Sequence, residues 1–77
     1  MPNINVKICS YITKEWLFPW LKEGKSQSAF ADRYNIDEST VRKIKGSKEY
    51  RIPVETLNRI CEAKGLKLSE FFKMVGL

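Results

Sequence analysis

The segment from Ser26 to Lys45 most constrains what this chain can fold into, because its apolar spacing predicts two short helices joined by a tight turn. Phe30, Ala31 and Tyr34 recur at helical spacing, which gives the first helix one buried face. Ser26 can cap this helix, since its hydroxyl can accept a hydrogen bond from a free backbone amide. The first of the two helices is thus predicted to begin directly after Ser26.

The turn and the second helix follow from the next residues. Asn35 stands where the chain must reverse, and asparagine is the non-glycine residue that best tolerates a positive φ. Ile36 is expected to anchor the turn in the core, and Asp37 to cap the second helix through its carboxylate. Val41 and Ile44 lie three residues apart and turn one apolar face toward the first helix. Two helices in this arrangement form a helix-turn-helix motif.

The opposite face of the second helix is predicted to be polar. It would carry Glu38, Ser39, Arg42, Lys43 and Lys45. A helix lying in the major groove of DNA contacts base edges and phosphates with such groups. Residues 42–51 also contain five basic side chains against one acidic side chain, and cations that neutralise phosphates make DNA binding depend steeply on salt.

The chain resembles the Cro and phage-repressor type (XRE-like) helix-turn-helix family over about residues 16–72. No single motif within the match is specific, but the ordered set is: Gln27, Phe30, Ala31, residues 36–40, Val41, Ile44, residues 53–57, Ile60, Ala63, Leu66 and Phe71. The resemblance implies an all-α, five-helix, lambda-repressor-like domain. It further implies binding to double-stranded DNA, with the second helix of the motif in the major groove, and regulation of transcription.

The resemblance also implies roles for individual residues. The expected base-reading residues are Glu38, Ser39 and Lys43, because family members contact bases from these positions. The expected phosphate contacts are Gln27, Thr40, Arg42, Lys45 and Lys48. The glutamine that matches Gln27 opens the first helix of the motif in the family and donates to a backbone phosphate.

The first nine residues alternate between apolar and polar side chains, with Ile4, Val6 and Ile8 on one side. This period of two predicts a half-buried strand. Such a segment could pair with its copy in a second subunit, pack on the helices as an extended arm, or remain disordered. The expected organisation is an N-terminal arm or strand at residues 1–9 and a helix-turn-helix domain at residues 10–77.

Helical spacing begins near Ser10, but Pro19 interrupts it. Proline in a helix interior removes a backbone donor and costs about 3 kcal/mol. The helix is therefore expected to kink or to split, for example into one helix that ends near Phe18 and a second with Pro19 at its first position. Trp16, Phe18 and Trp20 are expected to lie in the core or at a subunit contact.

Two further helices are predicted after the motif. Pro53 begins one of them, Leu57 belongs to its buried face, and Gly65 supplies a left-handed stop. A last helix covers about Leu68 to Met74 and should bury Phe71. The chain then has more apolar side chains than one small core can cover, and this surplus predicts a homodimer: Ile4, Val6, Ile8, Phe72, Val75 and Leu77.

Length, charge and cysteine content narrow the class of protein. A chain of 77 residues makes one small domain, and a net charge of +5 favours polyanionic partners. No apolar run is long enough to span a bilayer and there is no signal-peptide pattern, which predicts a cytoplasmic protein. Cys9 and Cys61 are the only cysteines and histidine is absent, so we expect buried free thiols, with neither a zinc site nor a disulfide.

Catalysis is not expected, because the sequence has no histidine, no glycine-rich phosphate loop and no nucleophile beside a plausible base. No cofactor or small-molecule substrate is expected either. A second hypothesis belongs to another class of function: the fold could serve as a protein-interaction module, such as an antitoxin-like partner of another protein. Glu38 motivates this hypothesis, since its charge must either accept from a cytosine amino group or repel the DNA backbone.

Overall fold

The computed structural model describes residues 3–46 and 49–77. Within these ranges the chain forms five helices and no strand, which confirms the all-α, five-helix prediction. Helix α1 covers residues 4–22 as three consecutive helical segments. The other helices are α2 (Gln27–Arg33), α3 (Glu38–Gly46), α4 (Val54–Ala63) and α5 (Leu68–Val75), the last of which is one residue longer than predicted.

The first segment of α1, Ile4–Ile12, corrects the predicted strand or extended arm at residues 1–9. Residues 4–9 are helical, and Asn3 caps them by accepting a hydrogen bond from the Asn5 amide at 2.7 Å. The apolar alternation was misleading because Ile4 is exposed, and the buried face of this segment follows the helical spacing of Ile8, Cys9 and Ile12. Met1 and Pro2 lie outside the described residues.

Pro19 does not end α1, because the helix widens just before it. Thr13–Leu17 is a π-helical segment, in which the Phe18 amide donates to the Thr13 carbonyl five residues earlier. Phe18–Lys22 then continues as α-helix. Pro19 is the second residue of this segment, where a missing backbone amide does little harm. The expected interruption therefore takes the form of a π-helical turn, and the backbone stays helical throughout.

All five helices contribute to one hydrophobic core. Its buried apolar residues are Ile8, Cys9, Ile12, Leu17, Phe30, Ala31, Tyr34, Val41, Ile44, Ile52, Leu57, Ile60, Cys61 and Phe71. Both thiols are buried and unpaired, as predicted. Trp16 and Trp20 pack against this core at half burial, whereas Phe18 is 45% exposed. Edge-to-face packing of Tyr11 on Phe71, with ring centres 5.7 Å apart, joins α1 to α5.

Two local interactions close the connections around the core. Gly65 has a φ of 73°, so α4 ends in the left-handed conformation that was predicted there, and the Leu66 amide donates to the Cys61 carbonyl at 2.9 Å. The Asn5 side-chain oxygen accepts from the Ile52 amide at 3.2 Å, which ties the start of α1 to the segment that follows α3. Over the two described ranges, no helix is long and apolar enough to cross a membrane.

Candidate nucleic-acid interface

Helices α2 and α3 pack against each other and are joined by a tight turn. Local hydrogen bonds define the start of α2 and the turn that follows it. The Ser26 hydroxyl accepts from the Ala29 amide at 3.0 Å, so the predicted cap of α2 is confirmed. Asn35 has a φ of 56°, the positive value expected of it. The Ile36 amide donates to the Ala31 carbonyl at 3.0 Å, and this bond completes a Schellman-type helix end. The angle between the two helices is thus set by the chain between Ala31 and Ile36.

Helix α3 begins at the Asp37 backbone carbonyl, which accepts from the Thr40 and Val41 amides at 3.0 and 3.2 Å. Val41 and Ile44 are 1% and 4% exposed and hold α3 on the core. Most of the remaining side chains are directed away from the core, as the predicted polar face requires. Five of them are exposed and together define the exposed face of α3: Glu38, Ser39, Arg42, Lys43 and Lys45.

Helical geometry orders these side chains across the exposed face. At about 100° per residue, Ser39 and Arg42 lie nearest its centre, opposite the buried pair Val41 and Ile44. Lys43 and Lys45 are two residues apart and therefore lie on opposite edges. A polar surface that also carries cations has the chemistry needed to contact both base edges and phosphates.

Tyr50, from the segment between α3 and α4, lies next to the edge of α3 that carries Lys43. The Lys43 ammonium nitrogen lies 5.8 Å from the centre of the Tyr50 ring. Burial raises the pKa of Tyr50, the nearby Cys9 thiol raises it further, and a hydrogen bond with Thr40 acts in the opposite direction. Tyr50 is therefore a neutral phenol at physiological pH, and it interacts with Thr40 and Lys43 of α3. Nothing in the sequence pattern had indicated these interactions.

The amino end of α2 is fixed by a residue whose role the sequence did not reveal. The Trp20 indole donates to the Ser26 carbonyl at 2.8 Å, and the Lys25 ammonium lies 4.4 Å from the centre of the Trp20 ring. Gln27, the first residue of α2, is half-buried beside this anchor. Because Trp20 belongs to α1, the position of Gln27 relative to α3 depends on packing among three helices.

The structure brings most of the predicted site residues together. The three predicted base readers, Glu38, Ser39 and Lys43, share one face of α3. Two predicted phosphate contacts, Arg42 and Lys45, lie on the same exposed face. Thr40 is half-buried on its flank and interacts with Tyr50, Gln27 is on α2, and Lys48 lies outside the described residues. No cluster of three or more potential metal-ligating side chains occurs among the residues that the structure describes.

The comparison with protein families decides what kind of domain this is. Residues 21–76, which include α2 to α5, match the Cro/C1-type helix-turn-helix DNA-binding domain. The chain belongs to this family. No curated protein and no solved structure gives a significant match.

Membership in the Cro/C1-type family identifies the α2–turn–α3 unit as the helix-turn-helix motif of the domain. In a helix-turn-helix domain the second helix of the motif is the one that enters the major groove. The second helix of the motif in this chain is α3, and its exposed face carries three cations. The match begins at residue 21, so the π-helical turn and Pro19 lie outside the matched residues.

Proposed function

We propose that this Cro/C1-type domain binds double-stranded DNA in a sequence-specific manner and regulates transcription, with α3 inserted in the major groove. The observation that carries the proposal is the exposed face of α3, a polar and cationic surface on the second helix of a helix-turn-helix DNA-binding domain. A helix with side chains is about 10–12 Å in diameter, which matches a major groove about 12 Å wide.

Residue roles within this proposal are those that the family resemblance implies. Glu38, Ser39 and Lys43 read bases: Lys43 can donate to guanine O6 and N7, and Glu38 can accept from cytosine N4. Phosphates are contacted by Gln27, Thr40, Arg42, Lys45 and Lys48. The interaction of Thr40 with Tyr50 makes Thr40 the least available member of this phosphate set.

A homodimer on a roughly palindromic site is part of the proposal. Two α3 helices must lie about 34 Å apart to enter successive major grooves on one side of the duplex. A single small domain makes few base contacts, so two copies are needed for high specificity. Large apolar side chains remain exposed near both ends of the chain, including Ile4 (53%), Met74 (47%) and Leu77 (46%). We place the activity in the cytoplasm and assign no catalytic step to the protein.

Glu38 supports a second candidate function. A carboxylate on the exposed face of α3 would repel phosphates if it found no cytosine partner, and it would suit a surface that binds another protein. In that case the fold acts as an antitoxin-like interaction module. The two functions differ in one measurable respect, since only the first requires the isolated chain to enrich particular duplexes.

The test is selection of duplexes from a randomised pool by the purified chain, repeated at several salt concentrations. The expected result is a recurring sequence with approximate two-fold symmetry, bound more tightly than unrelated DNA. Sedimentation of the chain with this duplex should show two copies per site. Binding without sequence enrichment would contradict sequence-specific regulation, and the absence of binding would favour the protein-interaction module.

A further inference from the structure

A groove of about 240 Å³ runs between α1 and α3, on the edge of α3 opposite Lys43. Two lysines, one from each helix, stand at its rim, and an exposed aromatic ring lies with them. The groove is lined by Ser10, Thr13, Lys14, Phe18, Ile44 and Lys45. Lys45 also belongs to the exposed face of α3, so the groove continues that face onto α1.

The floor of the groove is buried and hydrogen-bonded. The Thr13 hydroxyl lies 2.8 Å from the Cys9 carbonyl, to which it donates, and 3.4 Å from the Ile44 carbonyl of α3. This contact joins the first turn of the π-helical segment directly to α3, and Thr13 and Ile44 are themselves buried. The spacing between Lys14 on α1 and Lys45 on α3 is thus fixed by packed backbone.

The rim has the charge and polarity expected for a sugar–phosphate chain. Lys14 and Lys45 are both exposed, and the lining residues in the described part of the chain include no carboxylate. Phe18 is 45% exposed and lines the same groove, on the segment that follows the π-helical turn. A single exposed aromatic residue needs no explanation by itself. Two cations and an apolar ring complement the phosphates and deoxyriboses that alternate along a nucleic-acid strand.

We propose that this groove receives the sugar–phosphate backbone of one strand at the border of the major groove that α3 occupies. Lys14 and Lys45 contact successive phosphates, and the Phe18 ring packs against the deoxyribose between them. The inference deepens the proposed function and rests on it. A helix that fills the major groove has a phosphate chain along each edge, and this groove lies on the edge of α3 away from Lys43 and Tyr50.

The groove contributes affinity and orientation without reading sequence, because phosphates and sugars are the same at every base pair. It also gives a role to residues of α1 that precede the family match at residue 21. Phe18 directly follows the π-helical turn and lines the groove together with Lys45.

Lys14→Ala is the decisive variant, and Lys7→Ala is its matched control. Lys7 is an exposed lysine on the same helix, seven residues earlier, and it does not line the groove. The experiment measures the affinity of the full chain for its selected duplex and for an unrelated duplex between low and high salt. We expect Lys14→Ala to lower the log–log salt slope by about one on both duplexes, and Lys7→Ala to leave it unchanged. Phe18→Ala should weaken binding to both duplexes while leaving the slope and the melting temperature near those of the parent.

The outcomes separate this inference from the proposed function. If the parent selects a duplex but Lys14→Ala keeps the parent salt slope, the groove proposal is overturned and DNA binding stands. If Lys7→Ala lowers the slope as much as Lys14→Ala does, the effect is one of net charge and the groove proposal is again overturned. If the parent binds no duplex, the proposed function fails and the groove proposal fails with it.

Discussion

The Lys43 ammonium lies 5.8 Å from the centre of the Tyr50 ring, so the segment after α3 holds a cation at the edge of the helix proposed to read DNA. Such a contact contributes about 0.5–1 kcal/mol at an exposed site and restricts where the flexible lysine can reach. It directs Lys43 along one margin of α3, whereas Arg42 stands near the centre of the exposed face. Position alone would favour a base edge for Arg42 and a phosphate for Lys43, which is the reverse of the proposed roles. Variants of both residues therefore test the assignment.

Lys43→Ala should relax the preference for one base pair of the selected site and leave other positions intact, because a good lysine contact to guanine discriminates by about 1–3 kcal/mol. Arg42→Ala is the comparison, since a lost phosphate contact weakens all duplexes alike and lowers the salt slope by about one. Selection profiles for each variant provide the measurement. Tyr50→Phe, which keeps the ring below Lys43, should retain the parent profile. A Lys43→Ala profile that superimposes on that of the parent would exclude base reading by Lys43.

Asn35 offers a test of the turn that is independent of DNA. Its φ of 56° costs an ordinary L-residue about 1–2 kcal/mol, and glycine adopts this conformation without that cost. Asn35→Ala should therefore lower the free energy of unfolding by about 1 kcal/mol, whereas Asn35→Gly should stay close to the parent. Urea titrations with equal m-values would establish the difference. Equal stability of the alanine and glycine variants would mean that the positive φ is not what limits this turn.

The parts of the fold that could be predicted from sequence are those fixed by local chemistry. Ser26 caps α2 and Asn35 reverses the chain because each acts on backbone atoms within four residues. The N-terminal segment was predicted wrongly, since the alternation of Ile4 and Ile8 extends over too few residues to outweigh helical burial of Ile8, Cys9 and Ile12. Short periodic runs are compatible with both kinds of structure, and only the tertiary core decides between them.

The candidate site likewise has a part that the sequence could predict and a part that it could not. The exposed face of α3 follows from the spacing of Val41 and Ile44 alone. The interaction of Tyr50 with Lys43 and the approach of Phe18 to Lys45 depend on how α1 and the segment after α3 pack against α3. Lys45 and Phe18 are far apart in sequence, so no periodicity could have indicated their proximity. The π-helical turn before Pro19 likewise depends on packing, and the presence of the proline does not by itself predict it.

The two buried thiols predict a loss of stability in alkali. Burial raises the pKa of Cys9 and of Cys61, because a thiolate is poorly solvated in the core. Because the pKa is raised in the folded state, the thiols contribute their full stabilisation below the unfolded thiol pKa of about 8.5. This contribution is lost as the pH rises through the thiol pKa of the folded state. The free energy of unfolding should therefore fall as the pH rises above about 8.5.

A Cys9→Ala, Cys61→Ala double variant isolates this effect from the titration of lysines. Its stability should be lower than that of the parent at pH 7, where the parent loses nothing to thiol ionisation, and should decline less steeply above about pH 8.5. Urea unfolding at a series of pH values measures both curves. Thiol reagents should also react slowly with the folded parent, since both thiols are buried. Parallel curves for the parent and the double variant would contradict the assignment to the thiols.

Glu38 provides the sharpest test between a DNA-reading surface and a protein-binding one. It lies in the first turn of α3, five residues before Lys43, which corresponds to about 7.5 Å along the helix axis. The two side chains can therefore address one groove at different base pairs. Glu55 is a matched control for a change of charge, because it is exposed in the first turn of α4 and pairs with Arg59 at 3.0 Å.

If Glu38 accepts from cytosine, Glu38→Gln should shift the selected site from cytosine toward adenine at one position, because glutamine pairs with adenine N6 and N7. That position should differ from the one relaxed by Lys43→Ala, and Glu55→Gln should leave the profile unchanged. If Glu38 only repels the backbone, Glu38→Gln tightens binding to every duplex and the profiles superimpose, since removing a charge carries no sequence information. Superimposable profiles for Glu38→Gln and the parent would remove Glu38 from the base-reading set and strengthen the case that this carboxylate serves a protein partner.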